Sequence, residues 1–222
     1  MNYYRFQTFE EQEEHPAAYL FDGPAFRSLN IDDFSEDELS RLQESLCILS
    51  GCYGILRPLD GIKQYRLEMG SRLNVDGCKN LYEFWAKEHL TEEITKLARE
   101  NSCHTILNCA SQEYSKVVDF DELRNSFNVV DCVFKGPNNG SLASVFGKQA
   151  RGSMARFVAK KNPQTILDLQ EFCEGGMVFS SKYSTPSSLT FERIVETKSK
   201  PPTRKRGIVS EKNSLNTKKM KK

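Results

Sequence analysis

Histidine and tryptophan are scarce in this sequence, with three and one among 222 residues. His15, His89 and His104 lie far apart and no CxxC pair is present, so the paired ligand spacing of a structural zinc site is missing. No metal site and no cofactor follows from the residues, and nothing in them specifies iron binding. Long apolar runs are also lacking. None approaches the roughly 18 residues a bilayer span needs, and the opening MNYYRFQTFEEQEEHP has no apolar core of a secretory signal. A soluble, intracellular protein with no membrane partner is expected. The chain has no GxSxG elbow, no phosphate-binding GxxxxGK[ST] loop and no GxGxxG between strand and helix, which removes the commonest enzyme signatures.

Seven cysteines are present: Cys47, Cys52, Cys78, Cys103, Cys109, Cys132 and Cys173. Their odd number and wide scatter read as reduced, mostly buried thiols. Hydrophobic residues make up 38%, low for a compact enzyme but enough for one core, so part of the chain is expected to lie outside it.

The net charge of +1 conceals two unlike parts. Residues 198–222 carry ten Lys or Arg against Glu211 alone, a charge of +9, and the remaining 21 basic and 29 acidic residues make 1–197 −8. The terminal segment has no aromatic and too few apolar residues to offset the entropy of ordering its backbone, so it reads as a disordered basic tail behind a single domain at 1–197. Its TRKR and KKMKK clusters suit a nuclear import signal or a nonspecific polyanion contact.

Within the domain, helix and strand signals alternate. YLFDGPAF, Tyr19 to Phe26, suggests a short strand entering a turn at Gly23 and Pro24. Ser35 and Glu38 form a capping box, with Phe34 placed to staple onto Leu39, and Leu39, Leu42, Leu46 and Leu49 extend a helix from Glu36 to Ser50 that Gly51 would cap. Asn80 and Glu83 open a helix from Leu81 to Glu100. Strands are expected at His104–Ala110, Asn128–Phe134 and Ser141–Gly147, and a basic helix at Lys148–Asn162 with Ala150, Met154, Phe157 and Val158 inward. A further short helix runs to Phe172, and MVFSSKY with SLTFERIV makes a closing β-hairpin. The interleaving points to an α+β domain, a mixed β-sheet with packed helices.

One stretch has no helical period. SGCYGILRPLDGIKQYRLEMGSRL, Ser50 to Leu73, holds five Gly or Pro, three Arg and two acidic residues in 24 positions. Arg57, Arg66 and Arg72 with Lys63 can line an anion site opened by the glycines. Asp60 and Glu68 can instead neutralise the same cations in an ion-pair network. Lys148, Arg151, Arg156, Lys160 and Lys161 share a helix with no acidic residue, the pattern of a polyanion-attracting face or of a solvated one. Asn108, Ser111, Glu113 and Tyr114 close a predicted strand, where polar groups often line a cleft; Glu113 can serve as a base there or cap a helix with Ser111. Cys52 beside Arg57 reads either as a peroxide-reactive thiolate or as a buried inert thiol.

The run SGCYGILRPLD followed by YRLEMG resembles the YaaA family of peroxide-stress proteins, as do NLYEFW (Asn80–Trp85), ILNCASQEYSK (Ile106–Lys116) and KQARGSMARF (Lys148–Phe157). The likeness extends from about Tyr3 to Val195. It implies a cytoplasmic protein that limits free iron and Fenton damage and binds DNA through a positively charged cleft; no settled catalytic reaction accompanies the likeness, and a non-enzymatic role is the expectation. By that resemblance Arg57, Arg66, Lys148, Arg151 and Arg156 suit the cleft, joined by Arg72 from the residue reading above; Tyr65, Asn108 and Ser111 suit its polar lining, and Glu68, Glu113 and Tyr114 are the catalytic candidates should the protein be an enzyme or metal-handling protein instead. The family chain ordinarily opens with a strand and helices that precede a match for NYYRF, including a helix-hairpin-helix; here that opening segment is expected to be missing. The basic tail is a second departure and points to a nuclear variant.

Overall fold

The computed structural model describes residues 9–87 and 89–194. The basic clusters at 203–206 and 218–222 lie outside the described residues. The chain enters through β1 (His15–Pro16), paired antiparallel to β4 (Gly61–Ile62), and two short helices, α1 (Ala17–Leu20) and α2 (Pro24–Leu29). The strand expected at Tyr19–Phe26 is therefore helical. Pro24 sits at the first position of α2, where its missing N–H costs nothing and its fixed φ suits a helix.

The capping box forms as the sequence requires: Glu38 N–H donates to Ser35 Oγ (3.3 Å) and Ser35 N–H to Glu38 Oε2 (2.9 Å), opening α3 (Glu36–Ser45). That helix stops five residues short of its expected end. Leu46 is extended, and the chain becomes β2 (Ile48–Ser50), antiparallel to β3 (Gly54–Leu56), so Gly51 lies in a hairpin turn rather than at a helix cap. Asn80 accepts from Glu83 N–H (2.9 Å) to open α4 (Leu81–Lys87). The expected single helix then breaks at His89, whose φ of 55° interrupts the ladder before α5 (Leu90–Glu100).

The central sheet has order β5-β6-β8-β7. Strands β5 (Thr105–Asn108), β6 (Asn128–Lys135) and β8 (Ser188–Arg193) run parallel, and β7 (Met177–Phe179) closes the sheet antiparallel to β8, the expected hairpin. Between β5 and β6 lie α6 (Gln112–Ser115) and α7 (Phe120–Arg124). The strand expected at Ser141–Gly147 is absent; α8 (Ser144–Lys161) begins inside it and ends where left-handed Asn162 donates its N–H to Val158 O (2.9 Å). Beyond it, the expected short helix is a single 3-10 turn, Asp168–Glu171.

Alternation along the strands divides the core. Val130, Leu189 and Phe191 pack on Ala150, Met154 and Phe157 of α8 with Phe172 and Met177. On the opposite face Val129 packs on Leu81, Leu90, Val117, Leu123 and the loop residue Met69, which is 0% exposed. Helix α8 is covered again on its far side, where Ala159 joins Ala18, Leu29 and Leu42. This double burial explains its small residues. At Gly152 a Cβ would overlap the Ala25 carbonyl oxygen of α2, so only glycine permits the crossing. Among the described residues no helix is long and apolar enough to cross a membrane.

Of the seven cysteines only Cys78 is buried; Cys47 and Cys173 are exposed and the others intermediate. The thiols are thus less buried than their apolar sequence neighbours suggested.

Candidate functional site

The glycine-rich stretch is held by a hydroxyl and an indole. Ser50, 1% exposed, accepts the N–H groups of Cys52 (3.2 Å) and Tyr53 (2.9 Å) and lies 2.5 Å from the Tyr65 hydroxyl. Trp85 donates from its indole N–H to Gly51 O (3.0 Å) while its ring covers Gly54, whose φ of 72° and lack of a Cβ let the ring approach. Burial foremost pushes the Tyr65 phenol up to about 12. Burial likewise pushes the Cys52 thiol up, which favours the inert reading of that cysteine over a reactive thiolate.

Three of the expected cations are paired with acids. Arg57 Nε lies 3.6 Å from Asp60 Oδ1, and Asp60 Oδ2 also accepts the Arg57 N–H at 2.7 Å. Arg66, largely exposed, stands 3.8 Å from Glu68. Arg156 is committed most fully. It donates to Leu29 O (3.2 Å) and Asn30 O (3.1 Å), pairs with Asp33, and lies over the Phe34 ring. Lys160, one turn on, reaches Asp33 O (2.6 Å) and Glu38 Oε2 (3.0 Å). The C-terminal half of α8 therefore clamps α2 and α3 instead of presenting a basic face. The Arg156 hydrogen bond first, then Lys160, holds the Asp33 carboxyl below its ordinary range.

Arg72, Lys148 and Arg151 differ. Among the described residues no carboxylate pairs with any of them. Arg72 and Lys148 are exposed, while Arg151 is half-buried, and burial pulls its guanidinium below its ordinary value, opposed by the nearby Cys109 sulfur.

The turn after β5 touches the glycine-rich loop through Glu113 and lies within electrostatic reach of Arg151 through Cys109. Asn108 donates to Asp131 Oδ1 (2.8 Å) and accepts Ala110 N–H (3.1 Å), and Asp131 also takes Arg124 (2.9 Å), so these three fix the end of the strand. Ser111 occupies the N-cap of α6 without a side-chain bond to it. Glu113 reaches across to the loop, its Oε1 accepting Gly70 N–H at 3.0 Å. Tyr114 hydrogen-bonds the Met69 backbone; burial foremost, then the Glu113 charge, pushes its phenol up. Tyr65, Glu68, Glu113 and Tyr114 thus lie within electrostatic reach of one another at the loop, while Cys109, five residues before Tyr114, lies within electrostatic reach of Arg151. A concavity of about 610 Å³ lies elsewhere, between His89–Glu92 and Lys116–Glu122, and none of the expected site residues lines it. Among the described residues no three His, Cys, Asp or Glu side chains are grouped to hold a metal ion.

Sequence reasoning missed the acids that neutralise α8 and the Glu113–Gly70 link. Asp33 and Glu38 stand 123 and 122 residues from their basic partners, beyond any spacing rule.

Comparison with known proteins identifies relatives over most of the chain. A "UPF0246 protein" of Legionella pneumophila (strain Corby) is 39% identical over 201 residues, covering 87% of this chain and 77% of the relative. A protein of the same description from Dinoroseobacter shibae is 39% identical over 199 residues, covering 87% and 73%. One from Shewanella baltica (strain OS155) is 40% identical over 179 residues, covering 80% and 69%. The family model described as "Peroxide stress protein YaaA" matches residues 1–183, and with these relatives it shows that the chain belongs to the peroxide stress protein YaaA family.

Proposed function

We propose that this protein serves in peroxide stress by binding a polyanionic backbone, that of DNA, through Arg72, Lys148 and Arg151, and that it needs no catalytic step to do so. The observation that carries the reading is Arg151. A half-buried guanidinium with no carboxylate partner among the described residues holds charge that none of them compensates and a planar donor fork, both suited to phosphate. Arg57, Arg66 and Arg156 spend their charge on Asp60, Glu68 and Asp33, so they contribute little to the outward field. Cations that cover phosphates displace the counterion atmosphere. Loosely held iron would be displaced with it, which lowers Fenton chemistry at the DNA.

The salt dependence of duplex affinity, read by fluorescence anisotropy, tests this. Three phosphate contacts give a slope of log K on log salt of about −2.7, and Arg151→Gln reduces it by about 0.9. Arg156→Gln leaves the slope unchanged. Absence of binding to a duplex at low salt overturns the proposal.

A second reading, an enzyme or metal-handling cleft, is favoured by the convergence of Tyr65, Glu68, Glu113 and Tyr114 beside the loop. It replaces the first if Tyr65→Phe or Tyr114→Phe abolishes peroxide survival in a complemented bacterial strain while duplex affinity is unchanged.

A further inference from the structure

Strands β5 and β6 are parallel and in register, with Leu107 opposite Val130 and Asn108 opposite Asp131. One step further along both strands, Cys109 comes beside Cys132. Alternation places the two side chains on the same face, with Leu107, Val130 and Phe134, and both thiols pack at the edge of the core under α8. They are neighbours in fact: hydrogen bonding to Cys109 foremost, and then burial, pushes the Cys132 thiol well up. Adjacent strands lie about 4.8 Å apart, inside the roughly 4.4–6.8 Å Cα window of a disulfide. Arg151, the half-buried guanidinium of α8, lies within electrostatic reach of Cys109, and both cysteines are partly exposed.

We propose that Cys109 and Cys132 form a peroxide-reactive dithiol, in which Cys109 is the attacking sulfur, Cys132 the resolving one, and Arg151 the group that stabilises negative charge on Cys109. In the first step the Cys109 sulfur attacks one oxygen of hydrogen peroxide, and the O–O bond breaks. Cys109 becomes a sulfenic acid, and the other oxygen leaves as hydroxide, taking the thiol proton to form water. In the second step the Cys132 sulfur attacks the sulfenic sulfur, the S–O bond breaks, and the hydroxide leaves with the Cys132 proton as a second water. Two thiols are oxidised by two electrons to one disulfide, and peroxide is reduced to two waters. Because Cys132 retains its proton, it does not compete as the first nucleophile and supplies the proton for the second water. Arg151 also belongs to the polyanion reading above, but the thiol chemistry needs no nucleic acid and is measured without it.

The test uses the full chain, reduced, freed of reductant and treated with stoichiometric hydrogen peroxide, then mapped by mass spectrometry after alkylation. Two of the seven thiols are expected to be lost, as one peptide crosslinked through Cys109 and Cys132 that dithiothreitol restores. Cys132→Ser should accumulate a dimedone adduct on Cys109, and Arg151→Gln should slow the crosslink in the wild-type background of cysteines. The wild-type map decides the matter even if a variant folds poorly. Full alkylation of Cys109 and Cys132 after treatment, or oxidation confined to the exposed Cys47 and Cys173, overturns the proposal. Duplex affinity measured on the same sample separates it from the binding reading, which survives or fails on its own slope.

Discussion

Gly152 offers the sharpest test of how α8 is seated. In most helix interiors Gly→Ala gains about 0.8–1 kcal/mol through propensity. Here the added Cβ would overlap the Ala25 carbonyl oxygen, with the Ala25 carbonyl carbon at 2.6 Å and its Cα at 3.0 Å. All three are backbone atoms, so no side-chain rotation relieves the contact. The helices must separate, and with them the packing of Leu29 and Ala159 across the crossing. Overpacking of a closed site costs about 1–3 kcal/mol, and a backbone clash belongs at the upper end. Setting about 3 kcal/mol against about 1 kcal/mol of propensity leaves a loss near 2 kcal/mol, or roughly 4–8 °C in Tm for a chain of this size. Urea and thermal unfolding of Gly152→Ala followed by far-UV circular dichroism measure it. Gly147→Ala is the control, since on the same helix its Cβ would meet the movable end of Arg151 at 3.3 Å. A Gly152→Ala protein as stable as wild type, or more so, refutes the seating of α8 on α2.

Other predictions concern caps and titrating groups. Ser35→Ala removes the acceptor of the capping box and should cost about 1 kcal/mol, seen as a lower urea midpoint with an unchanged m value. The Asp33 and Glu38 carboxyls are both held below their ordinary values, the first chiefly by Arg156 and the second chiefly by the Ser35 backbone. Their stabilisation is present above the unfolded carboxylate pKa of about 4 and is lost as pH falls through the folded values, so Asp33→Asn with Glu38→Gln should flatten the acid limb of a stability–pH curve. The Tyr65 phenol, raised to about 12, should ionise after the exposed tyrosines in an ultraviolet titration, and Tyr65→Phe should remove that late step. Stability linked to Tyr65 is fully present below about pH 10 and declines as pH rises toward 12.

Local signals were legible and long-range ones were not. Ser35 with Glu38, Asn80 with Glu83, and Asn162 before Pro163 each set a helix boundary through neighbours in sequence, and the structure has all three. Leu46 and Leu49 continue the helical spacing of Leu39 and Leu42, yet pairing of Ile48 with Leu56 draws the chain into a strand. That pairing, and the Tyr65 hydroxyl on Ser50, are tertiary and outweigh propensity. Helix α8 begins at Ser144 after Ala143, which offers no capping side chain, so its start carried no signature. In the candidate site, the residue types were visible but their charge balance was not. Asp60 and Glu68 lie close enough in sequence to suggest pairing with Arg57 and Arg66. The neutralisation of Arg156 required Asp33, on a segment that only folding brings near.

The order of strands in the central sheet bears on synthesis. Strand β6 is flanked by β5, which precedes it by some twenty residues, and by β8, whose pairing residues begin at Ser188. A growing chain that has released β6 can cover the apolar row at Val130, Cys132 and Phe134 once α8 follows, but it still exposes one edge of β6 until more than fifty further residues follow. Such late closure slows folding and leaves an interval in which another strand can add to that edge. A ribosome-associated holdase or a pause before β8 would therefore change the yield of soluble protein far more than its final stability.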